Sequence, residues 1–254
     1  MRAYLAFTKK EFCEITRTYK LLIMGAVFLL FGFMNPLMAK LTPQILENYA
    51  PEGMNITIAE PTALDSWVQF YKNIPLMGLI VLVIVFSGLM ANEFTRGTLT
   101  NMLTKGLSRS TVILAKFTMA VIVWTLSYVS CFLVSYAYTV YFWSDETVSN
   151  LLFSVFCLWL FGILLLATIM LGSVLCKSIY GCLLFTGGFV SILFLMNIIP
   201  NLQEYNPVSL SSNNMALLTK QMVCSEFYIP ITVSVILAIV FLFCSIIIFN
   251  KKQI

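Results

Sequence analysis

Histidine is absent from this 254-residue chain, and charged residues make up only 10% of it. Without histidine the chain cannot carry the His-Glu-x-x-His zinc motif of metallopeptidases. The sequence also lacks a Gly-x-x-x-x-Gly-Lys-Ser/Thr phosphate loop, so the chain is not expected to hydrolyse ATP by itself. Soluble domains carry about 25% charged residues, and the deficit here excludes an ordinary water-soluble fold.

The seven cysteines form no Cys-x-x-Cys pair, and most of them fall inside apolar runs. This scatter is not typical of a disulfide framework or a zinc site. We therefore expect free thiols packed among apolar side chains, and no metal site.

Hydrophobic residues make up 60% of the chain, with a mean hydropathy of +0.93. A helix needs about 20 apolar residues to cross the hydrocarbon core, and six runs free of Asp, Glu, Lys and Arg are long enough. The predicted spans cover residues 21–39, 74–92, 117–143, 148–176, 179–199 and 227–250. The sequence therefore predicts an all-α integral membrane protein, one transmembrane domain over residues 1–254, whose spans contain no ionisable group except Tyr and Cys.

The Lys and Arg residues are distributed unevenly between the two sides of these spans. Of the 15, 12 fall in the N-terminal segment, the second-to-third and fourth-to-fifth connections, and the C-terminal segment. Because basic residues are enriched in cytoplasmic loops, we expect a multi-pass membrane protein with both termini in the cytoplasm.

Residues 1–20 are predicted to form an amphipathic helix on the inner membrane surface. Its basic residues lie on one side, where anionic headgroups would meet them. The other face is formed by Tyr4, Leu5, Thr8, Phe12, Ile15 and Tyr19. Phe7 interrupts this pattern. The alternative is a positively charged anchor without a fixed helix.

The connection between the second and third spans, residues 93–116, predicts a short cytoplasmic helix. Thr98 can cap its start and Gly106 can end it after Lys105. Leu99, Met102 and Leu103 then share one apolar face. Such a face either docks on another protein or packs on the inner surface of this chain. On the outer side, residues 215–222 predict a second short helix, which either dips into the membrane or forms a surface loop. The role of the outer loop 40–72 stays open.

The polar side chains within the spans are uncharged, and most of them are expected to join helices to one another. A few are hypotheses for a translocation path: Ser87, Thr186, Ser191 and Asn197.

The connection also contains Glu93-Phe-Thr-Arg-Gly-Thr98, followed by Ser108-Arg109 and by Lys116. This pattern resembles the coupling region of type-2 ABC transporter permeases, the membrane subunits of bacterial ABC exporters. The match falls on Glu93, Gly97, Thr98, Arg109 and Lys116. The motif is short, but six spans and an amphipathic first helix extend the resemblance over the whole chain.

The resemblance implies a multi-pass protein of a bacterial inner membrane. It also implies that two permease halves, the same or related chains, pair in that membrane. Each would dock its coupling helix on one of two copies of a separate ATPase subunit, which binds ATP and Mg while this chain binds no cofactor. The second and fifth spans would line the path. The implied ATPase-coupling residues are Glu93, Arg96, Gly97, Thr98, Leu99, Met102, Leu103, Lys105 and Arg109.

The expected function is export of an amphipathic or hydrophobic cargo, since the predicted spans supply no charge of their own. The chain is similar to small permeases of peptide export or antimicrobial-peptide immunity systems, which favours a peptide. Membrane lipid is an expected partner and nucleic acid is not. Two alternatives stay open: an exporter of a drug, a lipid-like molecule or a saccharide, and a non-transporting scaffold or sensor subunit.

Overall fold

The computed structural model describes residues 2–49, 60–97, 108–144 and 148–252, and all regular elements in these residues are helical. Six of the helical segments are long and apolar enough to cross a membrane, which confirms the predicted all-α membrane fold. In chain order, these first to sixth spans are Lys20–Ile45, Ala63–Phe94, Arg109–Phe142, Leu151–Cys176, Ile179–Met196 and Cys224–Lys251.

The first two helices meet at one end of the bundle, which we call the proximal end. Helix α1 covers Arg2–Arg17 and α2 covers Lys20–Tyr49. Tyr19, between them, has a φ of 58°, so the chain turns sharply into the first span. Gly97, Lys177 and Lys252 also lie at the proximal end, and we call the opposite end, with Thr62 and Trp143, the distal end.

The second span is not one continuous α-helix. It consists of α3 (Ala63–Asn73), a π-helical turn (Ile74–Gly78), α4 (Leu79–Phe86) and α5 (Ala91–Arg96). Pro75 has no N–H to donate, which removes one α-helical hydrogen bond and accounts for the wide turn. Gly97 ends α5 with a φ of 64°, a left-handed conformation that suits glycine.

The second span begins at Ala63, well before its predicted start at residue 74. Two features extend the helix in this direction. The Thr62 N–H donates to Asp65 Oδ2 at 2.8 Å and caps the first turn. Trp67 and Phe70 are then buried on one face of α3, so a charged residue such as Lys72 is accommodated on the opposite, exposed face.

The third and fourth spans form the centre of the bundle. They are α6 (Arg109–Phe142) and α7 (Leu151–Cys176), and α7 is the most buried span. The Trp124 indole lies directly on Gly162, where an added Cβ would be 2.4 Å from the ring. Trp124 Nε1 also donates to the Trp159 carbonyl at 3.1 Å, so this close contact fixes the two helices against each other.

The remaining helices complete the distal end and the last two spans. Two contacts hold the short distal helices. Asn206 Nδ2 donates to the Leu193 carbonyl at 2.7 Å, and Ser154 Oγ donates to Asn214 Oδ1 at 3.0 Å. The helix Asn214–Leu218, which overlaps the short helix predicted over residues 215–222, is therefore packed on the ends of the spans. The elements are α8 (Ile179–Met196), α9 (Pro200–Gln203), α10 (Ser209–Ser212), α11 (Asn214–Leu218), a 3₁₀ helix (Cys224–Phe227) and α12 (Tyr228–Lys251).

The expectation that the spans contain no ionisable group except Tyr and Cys is wrong. The second span includes Asp65, Lys72 and Glu93, and the third includes Lys116. The predicted spans are taken from runs without Asp, Glu, Lys or Arg, so they could not include these residues. The helices continue past these residues because capping and ion pairing satisfy some of their charges.

Candidate functional site

Three helices place opposite charges together inside the proximal end of the bundle. Lys116 lies in the second turn of α6, and its Nζ donates to Glu11 Oε2 of α1 at 2.8 Å and to Glu93 Oε1 of α5 at 2.9 Å. The three residues are only 2–4% exposed. A buried ammonium is costly unless carboxylates surround it, so each of the three residues depends on the other two.

A second lysine extends this network towards the surface. Lys10 Nζ donates to Glu11 Oε1 at 3.0 Å, to Glu93 Oε1 at 3.1 Å and to Glu14. Burial disfavours the charged ammonium, but hydrogen bonding and charge attraction from the three glutamates outweigh burial and raise the pKa of Lys10. We call the five residues the ionic cluster: Lys10, Glu11, Glu14, Glu93 and Lys116.

The ionic cluster fastens α1 to the bundle, and apolar contacts support it. Phe7 and Ile15 are buried on either side of Glu11, one helical turn away in each direction. Tyr4 donates its hydroxyl to Thr118 Oγ1 of α6 at 2.9 Å. These side chains lie on one stripe of α1, which is therefore the stripe that packs on the protein.

The predicted apolar face of α1 is divided by this packing. Tyr4 and Ile15 turn towards the bundle, together with Phe7, which interrupted the predicted face. Leu5 is 65% exposed and Phe12 is 50% exposed. Tyr19 is also exposed, in the turn that follows α1. Lys9 and Arg17 lie on the exposed side as well. The helix thus has one apolar stripe against the protein and a second one facing outward beside basic residues.

A separate junction at the proximal end ties the third, fourth and sixth spans together. Arg109 Nη1 donates to the carbonyls of Phe249 at 2.6 Å and Asn250 at 3.0 Å, so an arginine caps the end of α12. Lys252 Nζ donates to the carbonyl of Leu175 at 3.1 Å and to that of Val174, at the end of α7. Burial and the nearby Lys177 ammonium lower the pKa of Lys252.

Phe94 connects this junction to the ionic cluster. Its ring lies 5.5 Å from Lys252 Nζ and 5.7 Å from Lys177 Nζ, and its centroid is 6.0 Å from that of Phe249. Phe94 directly follows Glu93, so adjacent residues of α5 contact two different parts of the proximal end. The position of α5 is therefore fixed from both sides.

The carboxylates of Glu11, Glu14 and Glu93 lie within 4.8 Å of one another, a spacing that suits a metal ion. Their oxygens already accept hydrogen bonds from Lys10 and Lys116. The two ammonium groups therefore supply the positive charge that a cation would bring. The chemistry of this arrangement is that of an ion-pair network that holds helices together.

The predicted coupling residues are only partly described. Glu93 lies in the ionic cluster, Arg96 is the last residue of α5, Gly97 ends that helix, and Arg109 caps α12. The others lie outside the described residues: Thr98, Leu99, Met102, Leu103 and Lys105. The described part of the region thus flanks the predicted coupling helix on both sides.

The predicted path residues fall in different environments. Thr186 is buried and lines a cavity of about 280 Å³ between the second, fourth and fifth spans. Ser87 is buried, and its carbonyl accepts from Ser173 Oγ at 3.2 Å. Ser191 is exposed and Asn197 is half-buried near the distal end of the fifth span. The structure does not bring these four side chains into one site.

Sequence reasoning missed Glu11 and Lys10 as site residues. A signal for Glu11 was present, since it falls between Phe7 and Ile15 on the stripe that packs on the protein. An acid within an apolar stripe indicates a buried basic partner. Lys116 was noted only as part of the family resemblance.

Comparison with known proteins identifies a distant relative. The chain is 21% identical over 163 residues to the uncharacterized transmembrane protein YxlG of Bacillus subtilis (strain 168). The aligned part covers 63% of this chain and 63% of the relative, which is less than two thirds of that protein's length. No family model and no solved structure matches the chain. This similarity supports a multi-pass membrane protein.

Proposed function

We propose that the chain is the membrane-spanning permease subunit of an ATP-driven exporter in a bacterial cell membrane, with both termini in the cytoplasm. A separate ATPase subunit binds ATP and Mg and hydrolyses the nucleotide. The cargo is an amphipathic or hydrophobic molecule, with a peptide favoured, and it moves outward by alternating access.

The ionic cluster is the observation that carries this proposal. Glu93 and Lys116 flank the predicted coupling helix in sequence, and both pair with residues of α1. A force applied to the segment between Gly97 and Ser108 would therefore reach α1 as well as the second and third spans. A coupling region needs this mechanical connection, because ATP binding in a partner has to move helices in the membrane.

The surroundings of the ionisable groups in the spans support a transporter that takes its energy from a partner protein. Glu93 and Lys116 are paired at the proximal end, Asp65 caps the start of α3, and Lys72 is exposed. The cavity beside Thr186 is lined mainly by apolar side chains and by none of these residues. A transporter driven by protons or sodium usually carries acidic or basic groups at its binding site. An apolar cavity also suits an amphipathic cargo.

The exposed fifth and sixth spans support pairing of two permease halves. In each, 17% of the residues in the most apolar stretch are buried, against 67% in the fourth span. Gly187 and Gly188 of the fifth span face open space among the described residues. Two adjacent glycines would let a helix of a second permease approach closely.

Co-purification tests the proposal most directly. Tagged protein is extracted from its native host in a mild detergent, and bound proteins are identified by mass spectrometry. We expect an ABC ATPase in about the same amount as the permease. Leu99→Asp should abolish its recovery, because a charge on the docking face disrupts an apolar contact.

Val223→Asp is the matched control, since Val223 is an exposed apolar residue at the distal end. It should leave recovery of the ATPase unchanged. If the wild type brings down no ATPase, the exporter proposal is wrong and a scaffold or sensor role takes its place. If Leu99→Asp retains the ATPase, docking through residues 98–105 is wrong.

A further inference from the structure

Two cavities meet at the distal end of the bundle, on either side of Trp143. The larger, of about 670 Å³, is lined mainly by aromatic and aliphatic side chains, including Trp67, Phe132, Leu133 and Tyr136. The smaller, of about 470 Å³, is lined by Lys40, Glu60, Pro61, Thr62, Phe142 and Trp143. Both volumes fall in the range of about 300–1,000 Å³ that is typical of ligand sites.

Trp143 forms a wall that both cavities share. Its Nε1 donates to the carbonyl of Pro61 at 2.6 Å, and this bond fixes the indole between the third span and the start of the second. Ala63 lines the larger cavity and Thr62 the smaller one, so the chain is also continuous between them. The two cavities therefore lie next to each other at one indole, and we call the larger one the apolar part and the smaller one the polar part of a candidate site.

The polar part carries one charge of each sign. Lys40 Nζ lies 4.0 Å from the centroid of the Phe142 ring, and Glu60 lines the same cavity. Among the residues that the structure describes, Lys40 and Glu60 form no ion pair with each other or with another residue. Lys40 and Glu60 are both exposed, so a ligand with complementary charges can reach them.

The candidate site lies at the ends of two predicted membrane spans. The site lies where the second span begins and the third span ends, and it is rich in Trp, Tyr and Phe. Aromatic side chains with a polar edge concentrate at this depth of a membrane. An amphiphile lying there would have its tail level with the apolar part and its head level with the polar part.

We propose that this site binds one membrane phospholipid with a zwitterionic headgroup, such as phosphatidylethanolamine. The phosphate pairs with the Lys40 ammonium, the headgroup ammonium pairs with the Glu60 carboxylate, and one acyl chain lies along Trp67 and Phe132. The proposal does not rest on ATP-driven export, because it concerns lipid bound at the distal end.

Native mass spectrometry of the full chain tests the proposal. The detergent-solubilised protein is incubated with equal amounts of phosphatidylethanolamine and phosphatidylglycerol, and retained lipid is counted per chain. We expect one retained lipid, with phosphatidylethanolamine preferred. Glu60→Gln should reduce that preference about threefold, because it removes one partly exposed ion pair with the headgroup ammonium. Lys40→Gln should lower retention of both lipids by about the same factor, because both carry a phosphate.

Two control variants test the charges, and a pair of leucines tests the acyl chain. Lys220→Gln and Glu204→Gln remove exposed charges at the distal end outside the two cavities and should change nothing. Leu133→Trp fills the larger cavity and should reduce retention of both lipids. Leu126→Trp changes another exposed leucine of α6, outside the cavity, and should leave retention unchanged.

All six substitutions change exposed residues, so the variants should fold, and size-exclusion chromatography checks this. Equal retention of the two lipids by the wild type overturns the zwitterionic assignment. Equal effects of Leu133→Trp and Leu126→Trp overturn the acyl-chain position. If all the variants retain the same lipid as the wild type, the lipid is an adventitious additive only and the site does not exist.

Discussion

Lys116 is the residue on which the proximal end depends most. It is one cation between two buried carboxylates, Glu11 and Glu93, which come from elements distant in sequence. Removal of one member of a buried ion pair leaves an uncompensated charge and costs about 3–5 kcal/mol, whereas removal of all the charges is often nearly neutral. The stability of α1 docking should therefore respond to the balance of charge more than to the number of ion pairs.

We predict that Lys116→Met lowers the free energy of unfolding by about 3–5 kcal/mol, because it leaves the buried Glu11 and Glu93 with only the partly exposed Lys10 as a shared cation. Thermal unfolding of the detergent-solubilised protein measures the change. Adding Glu11→Gln and Glu93→Gln should recover much of the lost stability. Lys9→Met removes an exposed lysine of α1 and serves as the control. A loss of equal size in the control would contradict a special role for Lys116.

Lys10 predicts how docking of α1 depends on pH. The glutamates hold its folded-state pKa above the ordinary value of 10.5 in spite of burial. A raised pKa gives stability that is complete below the unfolded pKa and is lost only as pH rises through the folded pKa. The difference in Tm between the wild type and Lys10→Gln should therefore stay constant between about pH 6 and pH 10 and shrink at higher pH. A difference that stays constant above about pH 10 would count against the raised pKa.

These residue contacts show what a single sequence does and does not reveal. Glu93 and Gly97 were predicted from a short motif, because their spacing is local. The partners Glu11 and Lys10 are more than 80 residues away from Glu93, and no periodicity within α1 indicates which helix they meet. Long-range pairs of this kind depend on how the spans are arranged, which the sequence pattern leaves open.

At the scale of elements, α1 has two apolar stripes with different surroundings. Phe7 and Ile15 pack on the bundle, while Leu5 and Phe12 face outward. The 100° periodicity placed Tyr4, Leu5, Phe12 and Ile15 on one broad face, because a helical wheel cannot separate a stripe that packs on protein from one that meets lipid. The outward stripe is the part of α1 that fits a membrane surface.

We predict that a spin label at Phe12→Cys lies in the membrane and one at Ala6→Cys lies in water. Ala6 is also exposed but lies on another side of α1. Power-saturation EPR in liposomes measures collision with oxygen, which concentrates in lipid, and with a water-soluble nickel chelate. The background carries Ser in place of the partly or fully exposed cysteines, Cys13, Cys176, Cys224 and Cys244. Equal accessibility at positions 6 and 12 would argue against an interfacial helix.

The limits of prediction at this scale are clearest in the second span. Hydropathy identified all six spans, since each contains a run of apolar residues that is long enough. Hydropathy placed the start of the second span too late. Helix α3 buries Trp67 and Phe70 on one face and keeps the charged Lys72 on the other, so a charged residue does not end the span there. The π-helical turn at Ile74–Gly78 also has no signal beyond Pro75, which is compatible with several helix distortions.

At the scale of the whole molecule, several basic side chains gather at the proximal end. Arg109, Lys177 and Lys252 meet at the proximal end, where two of them cap helix carbonyls. The positive-inside rule then favours a cytoplasmic proximal end. Cys176, a native exposed cysteine next to this junction, gives a direct way to test the orientation.

We predict that a membrane-impermeant maleimide labels Cys176 only after the cells are permeabilised. Lys220→Cys, at an exposed position of the distal end, should be labelled in intact cells. The other exposed or partly exposed cysteines are replaced by Ser, and the buried ones are left unchanged. Labelling of Cys176 in intact cells would reverse the orientation and place α1 on the outside.

The contact between Trp124 and Gly162 has a consequence for how this protein can diverge. Even one methyl group at position 162 would overlap the indole, so a larger residue there requires a smaller one at position 124. Substitutions at positions 124 and 162 should therefore occur together during evolution. Among relatives, glycine at 162 should accompany a large aromatic residue at 124, and alanine or serine at 162 should accompany a smaller partner.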